Sequence, residues 1–219
     1  MKKAIEHLSN DQVMKGLIEK HGELRLSDDE GYKAISVSVQ AEITGGKRLQ
    51  SPKYFSDLAG AIVGQQLSAK AADTIWGRVL KLVDGDMAAE KILAVSDDAL
   101  RQAGCSRNKI AYIKNIAQAV VDNTLDLENI KQNDNEEVIR QLTTIKGVGR
   151  WTAEMFLIFS LAREDVFAFG DIGLLNAINK LYCKSDVALS KEEVKTITET
   201  WAPYRSFASL YLWRSLDSK

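Results

Sequence analysis

The chain is poor in the residues that build disulfide, cluster or membrane proteins. Its two cysteines, Cys105 and Cys183, stand far apart in 219 residues, which argues against a disulfide framework and leaves too few thiolates for an iron–sulfur cluster. With two prolines, little interrupts helices, and the many Ala, Leu, Ile and Lys residues point to a mainly helical protein. No apolar run is long enough to span a bilayer, and the opening MKKAIEHLSNDQVMKGLIEKHGEL has no continuous apolar core of signal-peptide length. A soluble, intracellular protein is expected. The excess of basic residues usual in nucleic-acid binders is also missing, the net charge being −1. A whole-chain sum averages over both faces, however, and phosphate binding needs only a local basic surface, so charge neither supports nor excludes DNA.

What is present suits one domain or two compact lobes with a sizeable core. Residues 4–21 read as one amphipathic helix with Ile5, Leu8, Val13, Leu17 and Ile18 along its stripe. Residues 33–43, KAISVSVQAEI, alternate apolar and polar, which predicts a short strand or extended insertion ended by Gly45-Gly46. Beyond Ser51-Pro52 the pattern turns helical, with Leu58, Ile62 and Val63 on one face and Ala72, Ile75, Trp76 and Val79 on the next. Gly64-Gln65-Gln66-Leu67-Ser68 separates these helices, and Ser68 suits an N-cap. Ser96 caps a helix that Gly104 breaks; another begins near Arg107 and carries Ile110, Ile113, Ile116, Ala117 and Val120 inward. Helices are also expected over 136–144 and 172–182, and in a final segment interrupted at Pro203. Residues 151–162 are apolar nearly all round and should lie at the centre of the fold. There is no repeat of fixed period.

The most informative stretch is LTTIKGVGRWTAEMFLIFSLAREDVFAFGD, Leu142 to Asp171. It reads as a helix end, the turn Ile145-Lys146-Gly147-Val148-Gly149, a second helix from Arg150 to about Ala162, and a loop ending in an acid. Two glycines around one apolar residue allow positive φ twice and bring backbone N–H groups close to another molecule. With Lys146 and Arg150 beside a helix N-terminus, the turn suits a phosphate. Taken alone it is equally well an ordinary αα-hairpin. Lys70, Arg107, Lys109 and Lys114 lie in or near the other candidate contact loops, and could as well be solvated helix faces.

The pattern I-K-G-V-G-R-W-T-A followed by Asp171 closely resembles the helix-hairpin-helix DNA glycosylase superfamily, in particular its 3-methyladenine DNA glycosylase II branch. The resemblance runs over about residues 52–216. It implies an all-α fold of two helical lobes, here 1–50 with 172–219 and 51–171, with the active-site cleft between them. It also implies double-stranded DNA as partner, with Lys146, Gly147, Val148, Gly149, Arg150 and Thr152 on the backbone. The segment Gln65, Gln66, Leu67 and Ser68 resembles the loop that fills the space left by an extruded base, with Gln66 or Leu67 as the wedge. The carbonyls of Thr143, Ile145 and Val148 match positions that hold a monovalent cation in relatives; catalysis itself needs no metal, and no cofactor is implied.

The resemblance gives Asp171 the catalytic role. Its position after Gly170 and before a helix also makes it an N-cap, and the two readings agree, because a helix N-terminus suits a negative charge. Cleaving a base from deoxyribose builds positive charge at C1′, which a carboxylate stabilises while it orients or deprotonates water. Asp165 is the competing acid, placed where the preceding helix should end. Trp151 stands where the endonuclease III branch carries a nucleophilic lysine, so hydrolysis without strand cleavage is expected. Trp151, Trp213 and Tyr204, with Met155 where relatives have tyrosine, form the implied base pocket, electron-rich faces for a cationic 3-methyladenine or 7-methylguanine. Each could instead be core packing, the role expected for Trp76 and Trp201. A non-catalytic hairpin clamp or damage sensor is the alternative. A monomer without membrane association is expected, cytoplasmic in a bacterium or archaeon and nuclear in a eukaryote.

Overall fold

Helix starts in this chain are set by short polar side chains. Asp11, Ser68, Ser96, Ser106, Asp134, Asp171 and Ser190 each accept a backbone N–H from the first turn of the helix that follows, satisfying donors that a helix end would otherwise leave unbonded. Ser190 also donates its backbone N–H to the Glu193 carboxylate, completing a capping box. A computed structural model describes residues 1–26, 54–184 and 187–217. The strand or extended insertion expected at 33–43 lies outside the described residues.

Among the described residues there are twelve α-helices and no strand: α1 Lys2–Leu8, α2 Gln12–His21, α3 Tyr54–Gly64, α4 Ala69–Leu82, α5 Ala89–Ala94, α6 Asp97–Ala103, α7 Arg107–Val121, α8 Asn135–Thr143, α9 Arg150–Met155, α10 Ile172–Tyr182, α11 Lys191–Glu199 and α12 Arg205–Asp217. A short 3₁₀ turn at Ile130–Gln132 precedes α8. Helix α9 runs on into a π turn, Phe156–Ser160, where the Leu161 N–H bonds the Phe156 carbonyl at 3.1 Å.

The single helix expected over 4–21 is two. Asp11 takes the N–H groups of Val13 and Met14 at 2.8 and 3.1 Å, which opens a new helix where the periodicity alone suggested continuity. Its other oxygen accepts the Tyr182 hydroxyl at 2.9 Å and the Trp201 indole N–H at 3.1 Å. Burial and the adjacent Asp11 carboxylate push the Tyr182 phenol far above its ordinary range, so it stays a neutral donor. The break is therefore a docking point.

The chain divides into two compact units, Met1–Gly31 with Ala162–Lys219, and Tyr32–Leu161. In the terminal unit α12 packs on α2 and α10, and Leu8, Met14, Leu174, Ile178, Trp201 and Tyr211 are buried. Residues 162–171, expected with the central lobe, belong to this unit because polar bonds hold them to α12. Arg205 grips Asp165 through Nε and Nη2 at 2.6 and 2.8 Å, and Ser206 bonds the backbone of Glu164 and Val166. In the central unit α7 packs on α3 and α5, and α9 on α3 and α8. Its buried residues include Leu58, Ile62, Trp76, Ile113, Ile116, Leu142, Leu157 and Ile158, so Trp76 and Trp201 both have the core role expected of them.

Candidate nucleic-acid interface and active site

In the central unit two turns stand out, one before α9 and one between α3 and α4. In the hairpin, the Val148 N–H returns to the Ile145 carbonyl at 3.0 Å, and the side chains of Ile145 and Val148 are buried while Lys146 is exposed. Gly147 takes φ 109°, and a Cβ there would fall 2.1 Å from Cγ of Tyr112. No side chain fits that position, on grounds of both backbone and space. Positive φ was expected at both glycines, but Gly149 is extended, at φ −88° and ψ 168°, and caps α9. Nothing lies within 4 Å of a Cβ built at Gly149, so its bareness serves no internal contact and leaves the backbone open to approach. Its carbonyl accepts the Ala153 N–H at 3.1 Å, starting the helix whose first N–H groups lie at the turn.

Arg150, expected beside the phosphate, is engaged within the protein. Its Nη2 and Nη1 reach the Glu136 carboxylate at 2.7 and 3.2 Å, and its Nε reaches Glu154 at 3.0 Å. The bonds to Glu136 hold the guanidinium pKa above its usual value. The reason lies in spacing: Glu154 is one helical turn along the same face, and α8 starts with acids.

In the second turn, Gln66 adopts φ 58°, a left-handed conformation uncommon off glycine. The Leu67 N–H bonds the Gly64 carbonyl at 3.2 Å, Gln66 is exposed and Leu67 is 38 % exposed. Gln65 turns inward, its amide donating to the Thr152 hydroxyl at 3.3 Å. Thr152 was expected among the DNA contacts; it is 3 % exposed, with its hydroxyl accepting the Gln65 amide. Ser68 caps α4 through the Ala71 N–H at 3.4 Å. Trp151 is half-buried and Met155 is buried. No group of three or more His, Cys, Asp or Glu residues capable of holding a metal occurs among the described residues.

The terminal unit holds the two competing acids. Asp165 is consumed by Arg205, which also donates its backbone N–H at 3.3 Å. Asp171 is 8 % exposed; its Oδ1 accepts the Leu174 N–H at 2.8 Å and the Trp213 indole N–H at 3.3 Å. The expected N-cap and one expected pocket tryptophan thus meet in a hydrogen bond. Tyr204 packs its ring edge-on to His7 and Phe207, at centroid distances of 5.5 and 6.3 Å. Gly173 was not singled out from the sequence. A Cβ there would lie 3.0 Å from Asp171 Oδ1 and 3.6 Å from Trp213 Cδ1, so its missing side chain makes room for the pair. A glycine in the first turn of a helix right after a candidate acid was the available signal.

Comparisons with known proteins identify the family. Residues 59–203 match the HhH-GPD superfamily base excision DNA repair protein family. DNA-3-methyladenine glycosylase 1 of Schizosaccharomyces pombe is 33 % identical over 197 residues, covering 88 % of this chain and 86 % of that protein. The DNA-3-methyladenine glycosylase of Saccharomyces cerevisiae is 33 % identical over 196 residues, covering 74 % and 66 %. Among solved structures, S. pombe Mag1 in complex with abasic DNA superposes with a TM-score of 0.80 at 32 % identity over 98 % of this chain and 97 % of that one. A DNA-3-methyladenine glycosidase from Bacillus halodurans does so with 0.70 at 37 % identity over 96 % and 91 %.

Proposed function

The chain belongs to the HhH-GPD superfamily of base excision DNA repair proteins, and on that premise we propose that it is a monofunctional DNA glycosylase that excises alkylated purines. The observation that carries the reading is the single family match over 59–203, which takes in the 64–68 turn, the hairpin, Trp151 and Asp171 in order. Its substrate is double-stranded DNA bearing cationic bases such as 3-methyladenine and 7-methylguanine. Such a base is already a good leaving group, and extruding it from the duplex costs a few kcal/mol, less where the pair is weakened.

Asp171 is the catalytic carboxylate. Its bond to the Leu174 N–H holds it at the start of α10 and its bond from Trp213 sets its orientation, leaving an anion to face the charge that grows at C1′ as the base departs. It also orients or deprotonates the water that attacks C1′. Each unit supplies residues assigned to base recognition, Trp151 with Met155 in the central unit and Trp213 with Tyr204 in the terminal unit, and their aromatic faces favour a cationic purine. Trp151 has no amine, so no Schiff base forms and the product is an intact strand with an abasic site. The exposed backbone at Gly149 and the Lys146 side chain engage phosphate, while Gln66 or Leu67 enters the duplex. Described helices include none long and apolar enough to cross a membrane; a monomer acting in the compartment that holds the DNA, cytoplasm or nucleus, completes the reading.

The test is release of free base from methylated duplex DNA, read with and without alkali. Release of 3-methyladenine with strand breaks only after alkali is expected, and Asp171→Asn should abolish release while still binding an abasic-site duplex. Tight lesion binding with no release by the wild type would instead make the protein a clamp or damage sensor.

A further inference from the structure

Helix α7 touches the hairpin and the end of α3 from which the 64–68 turn departs, the two turns that the glycosylase reading gives to DNA. In its first turn the Lys109 ammonium donates to the Val63 carbonyl at 2.8 Å, beside Gly64, where α3 ends and the 64–68 turn departs. One turn further, the Tyr112 ring lies so close to Gly147 that no Cβ fits between them. In the next turn Asn115 donates its amide to the Lys146 carbonyl at 3.1 Å. Residues 109, 112 and 115 recur every third position and so share one stripe of the helix. That stripe lies beside the apolar face of Ile110, Ile113, Ile116 and Ala117, which is buried and anchors α7 in the core. Gln65 of the first turn also reaches Thr152, in the first turn of α9 just past the hairpin.

These contacts are more than the fold requires. Lys109 and Asn115 are polar groups that water would satisfy on an ordinary helix face, yet Lys109 is directed at the Val63 carbonyl in the last turn of α3, just before the 64–68 turn, and Asn115 at the Lys146 carbonyl within the hairpin. Burial pulls the Lys109 ammonium below its ordinary pKa, so the charge sits there against a desolvation cost, offset by the carbonyl end of α3, where a cation is favoured.

We propose that α7 is a strut that sets the spacing between the 64–68 turn and the hairpin, with Lys109, Tyr112 and Asn115 as positioning residues for lesion-DNA binding. The inference rests on the glycosylase reading. A duplex gripped at two turns at once is held best when the turns are already at the right separation, since freedom lost on binding subtracts from affinity.

The experiment uses Lys109→Met, Asn115→Ala and the double variant of the full chain, measuring affinity for an abasic-site duplex, single-turnover base release at saturating enzyme, and Tm. Each single change is expected to weaken binding by about fivefold, with slower release even at saturation. The double should lose less than the product of the two, because both act on one spacing, whereas their Tm changes add. Unchanged binding in an active protein would overturn the strut alone, and losses that simply multiply would reduce it to two separate local supports. A wild type that neither binds the abasic duplex nor releases base would overturn the glycosylase reading and the strut together.

Discussion

The loop from Ala162 to Asp171 is tied to α12 near both ends, and the two ties put the same side chain to opposite uses. At the near end Asp165 meets the Arg205 guanidinium in a two-point grip. At the far end, two turns along α12, Asp171 meets the Trp213 indole and the Leu174 N–H in the first turn of α10. A guanidinium supplies a counter-charge and makes the first carboxylate a structural clasp. At the second, N–H dipoles orient the anion, which suits it to developing positive charge. The comparison teaches that what an aspartate can do here depends on which residue of α12 it meets.

The largest effect that would separate the two is on chemistry. Asp171→Asn should lower single-turnover base release by at least about 10²-fold with little change in Tm, and an active Asp171→Asn would break the comparison. Next comes stability at the other end. Asp165→Ala strands a guanidinium that is only partly exposed, and should lower stability by about 2 kcal/mol, or Tm by about 5 °C. Release measured well below that Tm should stay near wild type; a collapse there would mean that Asp165 shares the chemistry. The smallest effect is the most discriminating. Gly173→Ala puts a methyl 3.0 Å from Asp171 Oδ1, so base release should drop by about tenfold. Tm should hold or rise, since alanine favours a helix over glycine by about 1 kcal/mol. A drop in Tm without loss of release would show that Gly173 supports the helix rather than the carboxylate.

Much of this was legible in the sequence. The caps Ser68, Ser96 and Asp171, the break at Gly104 and the hairpin between α8 and α9 all follow from short-range chemistry, and the structure has them where expected. The missed break at Asp11 is also local in origin, but its second oxygen serves Tyr182 and Trp201, which lie far along the chain. Gly149 was read as a second left-handed residue because glycine permits that conformation; permission is not requirement, and one positive φ at Gly147 completes the turn. The inward role of Thr152 and the capture of Arg150 by Glu136 depend on which helices lie alongside, information that no window of sequence contains.

By itself, then, the sequence determined the helical architecture of the described residues, the family and the choice of Asp171 as candidate acid, because caps, periodicity and the I-K-G-V-G-R-W pattern act over a few residues. Tertiary structure alone decided which side chains stand around those elements: Arg205 on Asp165, Trp213 and the bare Gly173 on Asp171, Tyr112 under Gly147. Those pairings join residues tens of positions apart or turn on fractions of an ångström, and only close packing of the folded chain sets such distances.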